Sequence, residues 1–532
     1  MCFAPSEYQA AVFAEVQNPD CGSLIIQAVS GSGKTSTIVK MLDYISGSVI
    51  MLAFNKSISE ELKRRVPSHV MVGTFHSVGL NVWKSYTGKK FIKVSSDKIF
   101  NIIKNDLDER QRKLYWSFIT KMISLGKSAG IGTYYMDDST DNWAELADYH
   151  DVSLDQEDAD FGEAFSLCSK ILKKSNDLGR FEVDFDDMLY LPMKERICFP
   201  KYDWVVIDEA QDTNGVQREL LKRMISEEGK LVACGDKGQS IYGFRGADSS
   251  AMSLIQKEFS CKPLPLSISY RCSRAVIRAA QEYVPEIEWC DAAPEGKVDS
   301  LADYSASFFE ATDAVLCRNS APLISFAYGL ISRGKGFNFL GRDIGKNLIN
   351  LITKIGGKSL DDFRARMEVW YEREFMKLSE AGKNDKAAAI DDQYNSINVI
   401  IDNLNEGNQS VKGIVDAINA LFEERKSGNV MTLCTVHKSK GLEWKRVFIL
   451  ARDKMPSKFA KQEWQKIQEN NIIYVAFTRA VLELYFINSD CWNDKVSFSA
   501  PVKAPEVKKE IVVKPVPSRV SAKINPFAVR SK

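Results

Sequence analysis

The stretch Leu24-Ile25-Ile26-Gln27-Ala28-Val29-Ser30-Gly31-Ser32-Gly33-Lys34-Thr35-Ser36-Thr37-Ile38-Val39-Lys40-Met41-Leu42 reads as an apolar strand, a small-residue loop and a helix in direct succession. In that setting a phosphate-binding loop has physical meaning. Small residues at Ser30, Gly31, Ser32 and Gly33 let consecutive backbone N–H groups converge on phosphate oxygens. The helix opening at Lys34, Thr35 and Ser36 presents its positive end to the same charge. Lys34 would reach the β- and γ-phosphates of a nucleotide, and Thr35 would hold Mg2+. Ala28 stands where the strict GxxxxGK[ST] pattern has its first glycine.

Such a loop needs a second apolar strand ending in carboxylates. Trp204-Val205-Val206-Ile207-Asp208-Glu209-Ala210-Gln211-Asp212 supplies it. Asp208 would bind Mg2+ through water, and Glu209, one residue further along the strand's carboxyl edge, is placed to polarise an attacking water.

Outward from these two motifs, short apolar strand candidates recur at 24–28, 49–53, 204–207 and 231–234, and again at 314–317, 430–433 and 446–450. Each group alternates with amphipathic segments, as parallel α/β sheets do. Each is interrupted by a long insert of helical character, at roughly 87–181 and 346–426; helices are expected at Leu360 to Leu378, Ala387 to Leu404 and Val411 to Glu424. From Ser497 the chain carries five prolines and eight Lys/Arg against two Asp/Glu, which reads as a disordered basic tail.

The 532 residues are too many for one core, and 45% hydrophobic with 27% charged residues fits a mostly folded chain rather than a fibrous one. Eleven scattered cysteines without CxxC, and a start without basic or apolar leader regions, lead us to expect a reduced, cytoplasmic protein with no membrane association. The net charge of +1 announces no polyanion partner, so any such partner must lie in a local groove. Ten acids and no Lys/Arg between Asp137 and Asp160 read as a solvated flank, since no calcium loop pattern is present. Asp184, Asp186 and Asp187 lack the further acid and lysine a nuclease metal site needs.

With both motifs in hand, the chain resembles the UvrD/Rep (PcrA-like) branch of superfamily 1 DNA helicases, closest in wording to the F-box DNA helicase subgroup. Pro5-Ser6-Glu7-Tyr8-Gln9-Ala10 resembles the Q motif, Leu52-Ala53-Phe54-Asn55-Lys56-Ser57 motif Ia, and Gly73-Thr74-Phe75-His76-Ser77 motif Ib. Phe185-Asp186-Asp187-Met188-Leu189 matches a segment before motif II, which is Asp208-Glu209-Ala210-Gln211-Asp212. Gly235 to Ala247 is similar to motif III, Ser269-Tyr270-Arg271 to motif IV, Thr435 to Trp444 to motif V, and Tyr474-Val475-Ala476-Phe477-Thr478-Arg479-Ala480 to motif VI. Several relatives have an acid–Arg–Arg run before that tyrosine, where this chain has Glu469-Asn470-Asn471.

The resemblance implies two RecA-like P-loop motor domains, each with a mainly helical inserted subdomain. The expected division is 1–86 plus 182–272 for the first motor domain and 87–181 for its insert. It continues with 273–345 plus 427–496 for the second motor domain, 346–426 for its short insert, and 497–532 for the tail. The resemblance further implies that Gln9 reads adenine, Tyr270 lies against it, Gln239 senses the γ-phosphate, Arg271 and Arg479 serve as arginine fingers, and Glu443 touches the nucleotide. Lys56, Thr74, Phe75, His76, Tyr242, Phe244, Arg245, His437 and Lys438 would contact DNA, with Phe75, Tyr242 and Phe244 as stacking candidates; core packing is the alternative for Phe75. Implied cofactors are ATP and Mg2+, and the implied partners are single-stranded DNA and single-strand/duplex junctions, bound by a monomer moving 3′→5′. The tail would contact DNA or a protein partner, or be a plain soluble end. Two rivals remain open at this point: a translocase that strips proteins from single strands without processive unwinding, and an ATP-gated strand-binding module without turnover.

Overall fold

The computed structural model describes residues 4–150, 152–154, 158–241, 250–380, 384–423, 430–489 and 491–493. Its strands are β1 (Leu24–Ala28), β2 (Val49–Ala53), β3 (Val70–Thr74), β4 (Lys93–Val94), β5 (Glu182–Val183), β6 (Tyr202–Ile207), β7 (Ile225–Gly235) and β8 (Lys262–Leu266) in the first half. The second half adds β9 (Ile268–Ser269), β10 (Glu288–Trp289), β11 (Lys297–Ser300), β12 (Ala314–Cys317), β13 (Phe337–Leu340), β14 (Met431–Thr435), β15 (Trp444–Leu450) and β16 (Ala480–Ile487).

Two six-stranded sheets form, ordered β3-β2-β6-β7-β1-β8 and β11-β16-β15-β12-β14-β13, with every pairing parallel. Parallel strands need crossovers that cover both faces, which explains why the central strands read as unbroken apolar runs. β2 is buried at all five positions, whereas edge strand β8 exposes Lys262, Pro263 and Pro265. Proline cannot donate to a ladder and is tolerated at such an edge.

The first insert has a core separate from the first six-stranded sheet, built by helices Lys98–Asp106, Glu109–Ala129, Thr140–Tyr149 and Phe161–Leu178 around Tyr115, Ile119, Trp143 and Ile171 and joined by Trp83, Met188 and Tyr190 from the flanking helices. Two two-residue strands, β4 and β5, tie its ends to each other. The second insert behaves differently. Its helices Leu360–Glu380, Asn384–Asp402 and Val411–Leu421 share one apolar cluster with the second sheet, in which Phe363, Ile397 and Ile418 join Val315, Leu433 and Phe448. The helix Arg342–Ile355 runs unbroken through the boundary expected at 345/346. Among the described residues no helix is long and apolar enough to cross a membrane.

The acids Asp184 and Asp187 belong to the foot of the first insert. Lys98 lies 2.5 Å from Asp187, and Lys127 lies 2.7 Å from Asp187 and 2.6 Å from Asp184, all four side chains being buried. This is an ion-pair network, and its lysines occupy the positions a cation would take.

Candidate functional site

The carboxyl end of the first sheet meets the segments that lead into β15 and β16 of the second at a cleft of about 400 Å3 lined by Gly31, Ser32, Gly33, Lys34, Thr35, Ser36, Asp208, Glu209, Gln239, Arg271 and Arg479. The loop after β1 makes its turn with Gly31 at φ +74° and Gly33 at φ +76°, conformations that favour glycine. A Cβ on Gly31 would meet Arg271 Cβ and Ser269 Oγ at 2.6 Å. Gly33 gives the helix Lys34–Met41 no side-chain cap, so its first N–H groups stay available to an anion. Ser32 Oγ is buried with no hydrogen-bond partner, as a phosphate cradle would leave it. Thr35 Oγ1 donates to Asp208 Oδ2 at 2.7 Å, an oxygen-only pair suited to a hard divalent cation.

Lys34 is half-buried, and desolvation by itself would lower it; the carboxylates of Glu209, Asp236 and Asp208 outweigh that and hold it above the ordinary lysine value. Burial, reinforced by Glu209, pushes Asp208 up to about 6. Burial also acts upward on Glu209, but Lys34 and Lys440 outweigh it and keep Glu209 below the usual carboxylate range. Glu209 is therefore the more acidic member of the pair. Its backbone is left-handed (φ 55°), held by Gln211 Nε2 donating to Oε2 at 2.5 Å and by its own N–H donating to Asp208 Oδ1 at 2.9 Å.

Across the cleft, Ser30 is the shared anchor. Its Oγ accepts from Arg271 Nη1 at 3.2 Å and from Arg479 Nη2 at 3.1 Å, while its N–H donates to Tyr474 Oη at 2.8 Å. Tyr474 and Arg479 lie on and just after the helix Glu463–Phe477, which belongs with the second sheet, so the loop of the first sheet is gripped by the second. Burial, with Arg271 nearby, lowers Arg479 to about 10, still charged at neutral pH. Arg271 also pairs with Glu443 at 2.5 Å. Lys440 bridges back to the first sheet, 2.7 Å from Asp212 and donating to Gln239 O at 2.8 Å.

The remaining nucleotide candidates sit around this cleft. Gln9 is buried beside Gly33, donating to Thr37 Oγ1 at 3.0 Å and completing the N-cap of helix Glu7–Val16 with Ser6. Tyr270 is exposed, and its N–H donates to Gly31 O at 2.9 Å. The Gln239 amide donates to Asp236 Oδ2 at 2.7 Å while lining the cleft.

The strand candidates divide. Lys56 is exposed at the start of helix Lys56–Arg65. Thr74 caps helix Phe75–Thr87 by accepting from Ser77 N–H at 3.1 Å. Phe75 corrects the stacking expectation: its ring packs in the core with Leu52, Val78 and Leu189, because the first residue of that helix faces the sheet. His76 meets the exposed ring of Phe185 edge-on at 6.3 Å, and burial lowers its pKa, leaving it neutral. His437 and Lys438 line a second groove of about 650 Å3 with Arg318, Lys454 and Phe459, and Lys438 pairs with Asp343 at 2.8 Å. Tyr242, Phe244 and Arg245 lie outside the described residues, as does the tail.

Sequence reasoning gave no role to Phe54, Asp212, Lys440 or Tyr474, all of which the structure brings to the seam or its rim. Each stood inside a quoted motif; only the pairing across two sheets makes its part visible.

Against this geometry, the UvrD/REP helicase N-terminal domain matches residues 10–260, and the UvrD-like helicase C-terminal domain matches residues 154–490. The ATP-dependent DNA helicase Rep of Escherichia coli is 26% identical over 52% of this chain and 42% of its own length. Rep of Buchnera aphidicola (Schizaphis graminum) is 27% identical, with 49% and 42% covered, so the chain spans under half the length of these Rep relatives. The ATP-dependent DNA helicase PcrA of Bacillus subtilis is 21% identical over 88% of this chain and 81% of its own length. With both halves matched and the two sheets closing on one phosphate loop, the chain belongs to the UvrD/Rep helicase family.

Proposed function

We propose that this chain is an ATP-dependent DNA helicase: a DNA-stimulated ATPase that moves 3′→5′ along single-stranded DNA as a monomer and separates the strands at junctions. One observation carries the reading. Ser30 of the phosphate loop is bonded at once by Arg271, by Arg479 and by Tyr474, so the loop that would hold a nucleotide is also the contact between the two sheets.

Phosphoryl transfer needs an oriented water and positive charge around the departing phosphoryl group, with little covalent help. In this reading Lys34, Arg271 and Arg479 supply the charge, Glu209 polarises the water, and Gln239 relays the state of the γ-phosphate. Gln9, Tyr270 and Glu443 border the base and sugar. Thr35 and Asp208 would hold Mg2+, which supplies charge neutralisation when bound. A site shared by two bodies is complete only when they are together, so binding favours closure and product release favours opening. DNA lying across both sheets, on Lys56, Thr74, His76, His437, Lys438 and the 242–245 segment, would then be displaced with each cycle. Stacked bases give a grip of ~1–3 kcal/mol each, against ~1.4 kcal/mol to open one base-pair step. The division into motor domains 1–86 plus 182–272 and 273–345 plus 427–496, with the inserts between, belongs to the same proposal.

The test is steady-state ATP turnover with and without single-stranded DNA, beside strand separation of duplexes tailed at the 3′ or the 5′ end. We expect DNA-stimulated turnover, separation only of 3′-tailed duplexes, and loss of turnover by about 100-fold or more in Lys34→Ala. Turnover that survives Lys34→Ala refutes the site. Displacement of bound proteins without separation of a naked duplex refutes unwinding.

A further inference from the structure

We infer that Asn471 is a positioning residue that fixes the loop between the nucleotide cleft and the strand path, so that closure of the two sheets is passed to the DNA side. The inference rests on the helicase reading above. Asn471 sits on the helix Glu463–Phe477, three residues before Tyr474. Its Nδ2 donates to Ser240 O at 2.9 Å and to Lys237 O at 3.2 Å, both on the turn that follows β7. Both acceptors are carbonyls, so the amide must present its nitrogen.

Other groups of the second body also reach the turn: Lys237 pairs with Glu286 at 2.8 Å, and Val284 packs beside Gly238. Lys440 takes the carbonyl of Gln239 between the two Asn471 contacts. Gly238 lies flat against the Tyr474 ring, where a Cβ would come within 2.9 Å of Cε1. Three carbonyls within four residues are thus bound by side chains from the opposite body. At its near end the turn carries Asp236 and the Gln239 amide of the cleft. At its far end Ile241 is packed with Val436, Ile472 and Tyr474, and the chain continues directly to Tyr242, Phe244 and Arg245. One helix therefore touches the phosphate loop through Tyr474 and sets the following loop through Asn471, three residues apart on the same face.

A residue of this kind does not bind nucleotide. Its loss should leave ATP affinity alone and remove the response to DNA. Asn471→Asp keeps the shape and replaces the donor by an acceptor facing two carbonyls; Asn471→Ala removes the donor without adding charge. Both should keep the KM for ATP and DNA-free turnover within about twofold of the unchanged protein. DNA-saturated kcat should fall by roughly tenfold, and amide hydrogen exchange should rise at 237–241. A preserved DNA-saturated kcat in either variant overturns the inference, as does a fall of DNA-free and DNA-saturated turnover by the same factor. Absence of DNA stimulation in the unchanged protein would instead overturn the helicase reading, and the exchange at 237–241 reports on the Asn471 contact separately.

Discussion

Asp187→Asn would remove one charge from an acidic cluster that lacks a metal-site pattern in the sequence and that the structure pairs with two lysines. Asp187 is fully buried, and its two oxygens lie 2.5 Å from Lys98 Nζ and 2.7 Å from Lys127 Nζ; each lysine is 1% exposed. Burial lowers Lys98 despite Asp187, so it is the weaker of the two cations. In the variant Asp184 still serves Lys127, while Lys98 loses the carboxylate it touches and keeps the Ser175 carbonyl at 2.7 Å, with Asp184 acting on it without direct contact. Leaving a buried charge unpaired costs about 3–5 kcal/mol. The alternative, losing the proton at pH 7 from a group with pKa ~10.4, costs about 4.6 kcal/mol, so the two routes agree. Lys98 already lies below its unfolded value, and in the variant it falls further, so the folded chain binds fewer protons than the unchanged protein does and the defect shrinks as pH rises. The expected slope is at most ~1.4 kcal/mol per unit between pH 7 and 9. Denaturant midpoints of the unchanged protein, Asp187→Asn and Asp187→Asn/Lys98→Met measure this, and the double variant should recover most of the loss. A single variant that melts with the unchanged protein, or a defect that grows with pH, refutes the reasoning.

Gly31→Ala places a Cβ 2.6 Å from Arg271 Cβ on a left-handed backbone, and nucleotide affinity measured by fluorescent-analogue titration should weaken at least about tenfold. Glu209→Gln removes the ionised carboxylate while keeping its shape; phosphate release should fall by about 100-fold or more with nucleotide binding retained.

Much of the fold was legible because the central strands are buried on both faces. β1, β2, β6, β7, β12, β14 and β15 all read as short apolar runs. The edge strands β3, β8, β11 and β13 did not, because an edge buries one side at most and tolerates Gly73, Pro263 and Lys297. β16 was hidden for another reason: a buried Glu483, bonded by the Tyr485 hydroxyl at 2.8 Å, interrupts its apolar run. At the site, Lys34, Thr35, Asp208 and Glu209 could be named from local spacing. The seam could not, since Ser30 meets Arg479 across 449 positions and Lys440 meets Asp212 across 228. Phe75 shows a different limit: the motif left base stacking and core packing both open, and the helix it opens turns that ring inward.

The central claim is that the second sheet completes a catalytic site begun by the first, and Arg479→Lys tests it most directly. The substitution keeps a positive charge but removes the fork that reaches Ser30 Oγ, Val475 O and Leu442 O together. Single-turnover ATP hydrolysis with saturating single-stranded DNA should slow by about 1,000-fold while nucleotide affinity changes less than about tenfold. Hydrolysis within a few-fold of the unchanged protein would contradict the account.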